Sequence, residues 1–195
     1  MTRIPHNSTA LCLAMAILLS PIVSAGAQDV LVPIEVQFPL FVKILSFDRN
    51  LQRNAGGEIV IAIVYQGGYI PSLNARDAIK DVFEKSGDIG VGNNAMRHVC
   101  VDIETEELTH VVAKHNVDIL YITPLKAVDI ESITKTSRAL ALITLTGVPD
   151  YVRSGVSVGI GLKEEKPEII INLAAAKAEG ADFSSRLLRL ARIVD

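Results

Sequence analysis

Glu58–Tyr65 reads EIVIAIVY, six consecutive apolar residues between Glu58 and Tyr65, with Gly56-Gly57 just before them. A strand with one wet face would alternate; an unbroken run this short and this rich in Ile and Val fits a parallel strand covered on both faces. Three more runs of the same kind follow, at 98–103 (HVCVDI), 117–122 (VDILYI) and 140–145 (LALITL). Between them the period changes to that of amphipathic helices. Residues 73–85 turn Ala75, Ala78, Ile79, Val82 and Phe83 inward, and Gly87 stands where a helix C-terminus favours glycine. Residues 105–116 have Thr105 as a candidate N-cap and present Leu108, Val111 and Val112. Residues 127–138 present Val128, Ile130 and Ile133. Strands alternating with helices imply right-handed crossovers, hence a three-layer α/β fold around a doubly wound, mostly parallel sheet.

Two extensions flank this core. Residues 39–51 (PLFVKILSFDRNL) predict a helix with Pro39 in its first turn and Leu40, Phe41, Ile44, Leu45, Phe47 and Leu51 apolar. That apolar arc exceeds half the circumference. Either the C-terminal elements cover it entirely, or a patch anchored by Phe41 and Phe47 stays open for a protein partner. At the other end, 155–162 (GVSVGIGL) alternates strictly and 168–172 (EIIIN) follows a charged turn, predicting an antiparallel hairpin. Two short helices close the chain: one capped by Asn172 and ended by Gly180, and one capped by Ser184 or Ser185.

The first 27 residues read as a leader. Arg3 supplies positive charge, 10–23 (ALCLAMAILLSPIV) is apolar, and Ser24-Ala25-Gly26-Ala27 fits a signal-peptidase site, so cleavage is expected after Ala27. The run is shorter than the ~20 residues a membrane span needs. Residues 28–195 then form one exported domain of ordinary size, with the periplasm as its expected compartment. The leader contains one basic residue and no acidic one, so 18 basic against 22 acidic residues leave the remainder near −4. No basic stripe forms, which excludes nucleic acid as the expected partner. Cys100 is the one cysteine outside the leader, so no internal disulfide can close.

Candidate catalytic motifs do not survive their contexts. Gly155-Val156-Ser157-Val158-Gly159 matches G-x-S-x-G, but the alternation runs on through Ile160 and Leu162 where a nucleophile elbow needs a turn and a helix. The glycines at 155, 159 and 161 instead permit close approach of a neighbouring element. The glycine-rich 87–94 follows a helix and leads into a strand, the reverse of a dinucleotide fingerprint, and reads as a loop. His98, Cys100 and Asp102 share one strand face, where a small buried thiol is the simpler reading. His110 and His115 lie about 140° apart around a helix and cannot share a metal. The Glu106-Glu107 pair suits a helix N-terminus. No catalytic residue, metal site or cofactor is expected.

The best site-like feature is topological. Ligands of open doubly wound sheets settle beyond the C-terminal strand ends, at the point where strand order reverses. Tyr65, Gln66, Tyr69, Thr123 and Thr146 fall in segments of that kind and could line a crevice for a small polar ligand, although ordinary polar turn residues would read the same way. In that respect the domain is similar to one lobe of a periplasmic solute-binding protein.

The glycine-rich strand 155–162, the strand ending Ile170-Ile171-Asn172, the Ala-rich stretch 174–178 and the closing FSSRLLRLA at 183–191 together resemble the YfiR family of periplasmic proteins. The helix near 39–51 and the strand leading into Thr144-Leu145-Thr146-Gly147 stand where that family has equivalents. Asp48-Arg49-Asn50 departs from the aromatic and proline pair that often follows the family's first helix, and the disulfide-forming cysteines of better-known members are missing. The resemblance implies a non-catalytic regulator that restrains a membrane-bound signalling protein, a diguanylate cyclase, often as a homodimer. A small-ligand sensor or carrier is the alternative that the crevice suggests.

Overall fold

The computed structural model describes residues 30–54, 56–87 and 89–194; the expected cleavage site after Ala27 lies outside them. Its centre is β1 (Glu58–Tyr65), whose six middle residues are all buried. Pairing outward from β1 gives an eight-stranded sheet with the order β2-β3-β1-β4-β5-β6-β7-β8. Here β2 is Gly90–Val91, β3 Asn94–Asp102, β4 Ile119–Ile122, β5 Ile143–Thr146, β6 Val158–Lys163, β7 Lys166–Asn172 and β8 Arg192–Val194. From β3 through β6 every pairing is parallel, while β2–β3 and β6–β7 are antiparallel. The expected three-layer, doubly wound sheet with its C-terminal hairpin is thus present.

The continuous apolar run in β1 serves two cores. Ile59, Ile61 and Ile63 face one cluster with α1 (Ile34–Leu45) and α3 (Ile70–Ser86). Val60, Ala62 and Val64 face the other, with α4 (Leu108–His115) and α5 (Ile130–Leu140). The two-residue period of a strand makes both faces apolar, which is why the sequence there shows no alternation.

Several boundaries differ from the sequence reading. The first helix begins at Ile34, five residues early, so Pro39 lies inside it. Burial of Ile34, Phe38, Phe41, Ile44 and Leu45 along one stripe outweighs the interior proline. The helix also stops at Leu45, because Asp48 Oδ1 caps α2 (Arg49–Asn54) through the N–H groups of Asn50 (2.9 Å) and Leu51 (3.3 Å). Asp48 further pairs with Phe183 in an isolated bridge, tying this corner to the C-terminal segment. Thr105 does not cap α4; Glu107 occupies that position without a side-chain cap. Leu140 ends α5, so β5 starts only at Ile143. The loop expected over 87–94 folds back as β2, turning at Gly92 with a positive φ. Residues 149–153 form a short helix, α6 (Pro149–Arg153), and β8 adds an edge strand that periodicity did not reveal.

The C-terminal caps follow the sequence. Asn172 accepts from Ala175 N–H at 2.9 Å to open α7 (Leu173–Ala178), and Ser184 opens α8 (Ser185–Leu188). The hairpin glycines allow the close approach expected of them: a Cβ on Gly159 would collide with Val152 of α6, and one on Gly161 would lie 3.2 Å from Pro149.

Candidate functional site

Because β1 is followed in the sheet by β3 on one side and β4 on the other, strand order reverses between β1 and β4. The loops leaving β1 and β4 therefore flank the switch point. Tyr65 ends β1, and Gln66 begins the loop into α3; both are half-buried. The Gln66 side chain spans three loops. Its Nε2 donates to Glu104 at 3.0 Å, and its Oε1 accepts from Lys126 N–H at 2.8 Å. Its backbone N–H donates to Ser72 Oγ at 2.8 Å, Ser72 reaches Thr123 Oγ1 at 2.6 Å, and Thr123 donates to the Val64 carbonyl at 2.9 Å. Since the Thr123 proton is committed to Val64, Ser72 is the donor between the two hydroxyls.

Of the expected ligand residues, Thr123 and Thr146 are fully buried. Thr146 Oγ1 donates to Ile122 O at 2.9 Å and accepts from Val148 N–H at 3.1 Å. Each hydroxyl donates to the carbonyl at the end of the neighbouring strand, Val64 of β1 for Thr123 and Ile122 of β4 for Thr146, so both side chains are buried between elements and not laid on a ligand surface, which corrects that part of the expectation. Short polar side chains at strand ends satisfy orphan backbone groups as readily as they line a crevice. Tyr65 carries the Arg76 guanidinium 4.6 Å from its ring centre, and Tyr69 precedes α3 as its N-cap residue, half-buried. Beside them, Pro33, Ile34, Pro71, Asn74 and Pro124 line an open cavity of about 300 Å³. Asn74 is the polar group among these five. The segment before α1, which the sequence does not mark as part of a crevice, supplies one wall.

Phe41 is 1 % exposed and meets Tyr121 edge-on at 5.8 Å, so it is core and not a surface anchor. The face of α1 that carries it lies over the sheet, where Tyr121 in turn donates to the buried Gln37 at 3.2 Å. Phe47, past the end of α1, is half-buried, with the Lys43 ammonium 5.5 Å from its ring centre. At the opposite, N-terminal end of α1, Leu31 and Val36 are exposed apolar residues.

Four groups with nucleophilic or acid–base potential, Cys100, His98, Ser157 and Glu179, sit in packing or hydrogen-bond contacts. Burial pushes the Cys100 thiol above its ordinary pKa, against smaller opposing effects of Lys80 and Arg76. That disfavours the reactive thiolate. Burial likewise lowers the pKa of His98, with Lys80 adding to it, and the imidazole packs on Phe83 at 4.7 Å. Ser157 donates to Glu179, not to a histidine. Glu179, which no sequence motif marks, is the buried polar hub. It accepts from Ser137 Oγ (2.7 Å), Thr144 N–H (2.9 Å) and Thr144 Oγ1 (2.8 Å) as well as Ser157, linking α5, β5 and the approach to β6 at the end of α7. Among the described residues, no three of His, Cys, Asp and Glu are grouped to hold a metal.

Residues 77–192, from α3 into β8, match the family described as YfiR/HmsC-like. No curated protein sequence matches the chain. Among solved structures, the chain is similar to a conserved domain protein from Vibrio cholerae O1 biovar El Tor (15% identity, TM-score 0.57, 84% of this chain and 60% of that one). It is also similar to the ABC domain in complex with L-Trp from Streptococcus pneumonia (12%, 0.56, 83% and 60%). A third likeness is the ligand-free, open form of CD0873, a substrate binding protein with adhesive properties from Clostridium difficile (16%, 0.51, 74% and 57%). The chain spans about three-fifths of the length of these structures, and at such identities the likeness is one of fold.

Proposed function

The chain belongs to the YfiR/HmsC-like family, and from that premise we propose that it works in the periplasm as a non-catalytic regulator that binds and restrains a membrane-bound signalling protein, a diguanylate cyclase. The observation that carries this reading is the family match over 77–192. The structure is compatible with it: the groups that could have made a catalytic site, Cys100, His98 and Ser157, are held in packing and hydrogen-bond roles. Among the described residues no helix is long and apolar enough to cross a membrane, so a membrane-bound partner would be met by docking. Phe47 remains a candidate contact for that partner or for a second copy of the chain.

The test is reconstitution. The purified chain is added to membranes carrying a candidate cyclase, and cyclic di-GMP synthesis and co-sedimentation are measured together. Restraint predicts that both change in step with added chain. A chain that stays in the supernatant and leaves synthesis unaltered would remove the proposal.

A second reading, a small-ligand sensor, is favoured by one observation: the roughly 300 Å³ cavity lies beside the switch point of a fold shared with a substrate binding protein. Tyr65, Gln66 and Tyr69 remain its candidate contacts. Native mass spectrometry of freshly purified chain would test it, because a retained small molecule is the expected signature.

A further inference from the structure

A second open groove, of about 380 Å³, lies between α4 and α5 on the face of the sheet away from α1 and α3. Its apolar lining is Ile103, Leu108, Val128 and Ile133. Ile133 is buried and the other three pack half-buried against the core beneath. Along one rim stand Glu104, Glu106 and Glu107, all exposed, and among the described residues no Lys, Arg or His lines the groove.

These carboxylates are pinned but not neutralised. Glu104 accepts from Gln66 Nε2 (3.0 Å) and Gly68 N–H (2.6 Å), Glu106 accepts from Asp102 N–H (3.1 Å), and Glu107 accepts from the Thr109 hydroxyl. The ion pairs among the described residues all use other acids. The dipole of α4 gives Glu106 and Glu107 a local reason to be there. Glu104 lies before that helix turn, tied instead to the loop after β1. An apolar floor beside three fixed, uncompensated negative charges selects its occupant by charge complementarity. An anionic lipid surface or a nucleic acid would be repelled.

We propose that the α4–α5 groove docks an amphipathic segment of a partner protein, its apolar side chains entering over Leu108, Val128 and Ile133 and its Lys or Arg residues lying along Glu104, Glu106 and Glu107. This rests on the reading of the chain as a protein-binding regulator and assigns that reading a surface. The mode is a helix laid in a groove, with basic residues fixing its orientation.

The probes are a 14-residue amphipathic peptide of leucine and lysine and its counterpart with glutamate for lysine, followed by fluorescence anisotropy on the purified chain. The test variant is Glu104→Gln/Glu106→Gln/Glu107→Gln, which keeps an oxygen acceptor at each position. Glu106→Gln/Glu107→Gln replaces it if circular dichroism shows the triple variant unfolded. Glu164→Gln/Glu165→Gln, in the distant hairpin turn, controls for general attraction between an acidic chain and a basic peptide. The expected result is binding of the lysine peptide alone, weakened about tenfold by the rim variant and by raised salt but not by the control. No binding, equal binding of both peptides, or equal loss in rim and control variants would each overturn the proposal. So would dimerisation of the chain through this rim, seen by sedimentation. If the wild-type chain restrains a cyclase and the rim variant does so equally well, this inference fails and the regulatory reading stands. If the rim binds the peptide yet no cyclase is restrained, the reverse holds.

Discussion

Removing the Glu179 side chain should cost more stability than any other single polar deletion in the domain's interior. The residue is 1 % exposed and accepts from Ser137, Thr144 and Ser157, and among the described residues it forms no ion pair. In Glu179→Ala, Ser137 can still donate to the Thr134 carbonyl, but the Thr144 N–H, the Thr144 hydroxyl and the Ser157 hydroxyl lose their acceptor. At about 1–3 kcal/mol per stranded buried group, with some relaxation, the loss is about 3–6 kcal/mol. For a domain of this size that lowers the melting temperature by about 6–24 °C. Glu179→Gln should cost about 1 kcal/mol or less, since its oxygen can keep the Thr144 N–H while its amide donates to hydroxyl oxygens that rotate to receive it. The two variants differ more sharply with pH. Burial raises the Glu179 pKa above 4.5, its hydrogen bonds from Ser157, Ser137 and Thr144 opposing. The folded chain therefore binds this proton more tightly than the unfolded chain does. The resulting stabilisation is complete below about 4.5 and is lost as pH rises through the folded-state value. Asp118, half-buried, shifts in the same direction, again mainly through burial. Urea unfolding of wild type between pH 4 and 8 should show a component of stability that falls as pH rises above about 4.5, and Glu179→Gln should flatten that slope without abolishing it. An unchanged slope in Glu179→Gln, or a cost below about 1 kcal/mol for Glu179→Ala, would refute the reasoning.

Phe41→Ala should lose about 3–5 kcal/mol by emptying the space beside Tyr121, whereas Phe47→Ala should lose about 1 kcal/mol or less. Thermal melts that rank the two the other way would contradict the burial described. Gly159→Ala should destabilise by about 1–3 kcal/mol, because its Cβ meets Val152 and α6 must move; a neutral result in the same melts would mean that α6 is loosely seated. Cys100→Ala should cost about 1 kcal/mol and leave any regulatory activity intact, checked by unfolding and by the cyclase reconstitution. Intact mass of protein recovered from the periplasm should correspond to a chain beginning at Gln28, as the Ser24-Ala25-Gly26-Ala27 site predicts.

What could be read from the sequence was whatever short-range pattern dictates. The buried run of β1, the inward stripe of α3 and the Asn172 and Ser184 caps each express a local rule, and each reappears in the fold. What was hidden depends on residues brought together from far apart. Pro39 looked like a helix start because proline favours the first turn, yet Ile34 and Phe38 carry the buried stripe back past it. The break after Leu45 is fixed by Asp48, which caps α2 and also accepts from Asp182 N–H at 3.1 Å, 134 positions along the chain. The candidate site divides the same way. Periodicity and topology placed Gln66 and Thr123 at the switch point, but a threonine at a strand end looks identical whether it faces a ligand or its own backbone. Only the pairing of Thr123 with Val64 and Ser72 decides that it faces inward. Glu179 is the extreme case. Before Gly180 it reads as an ordinary exposed helix end, and its burial follows from three donors in Ser137, Thr144 and Ser157, none within twenty residues of it. A carboxyl group so placed is held by the fold as a whole, and that is why its removal tests the packing of α5, β5 and α7 at once.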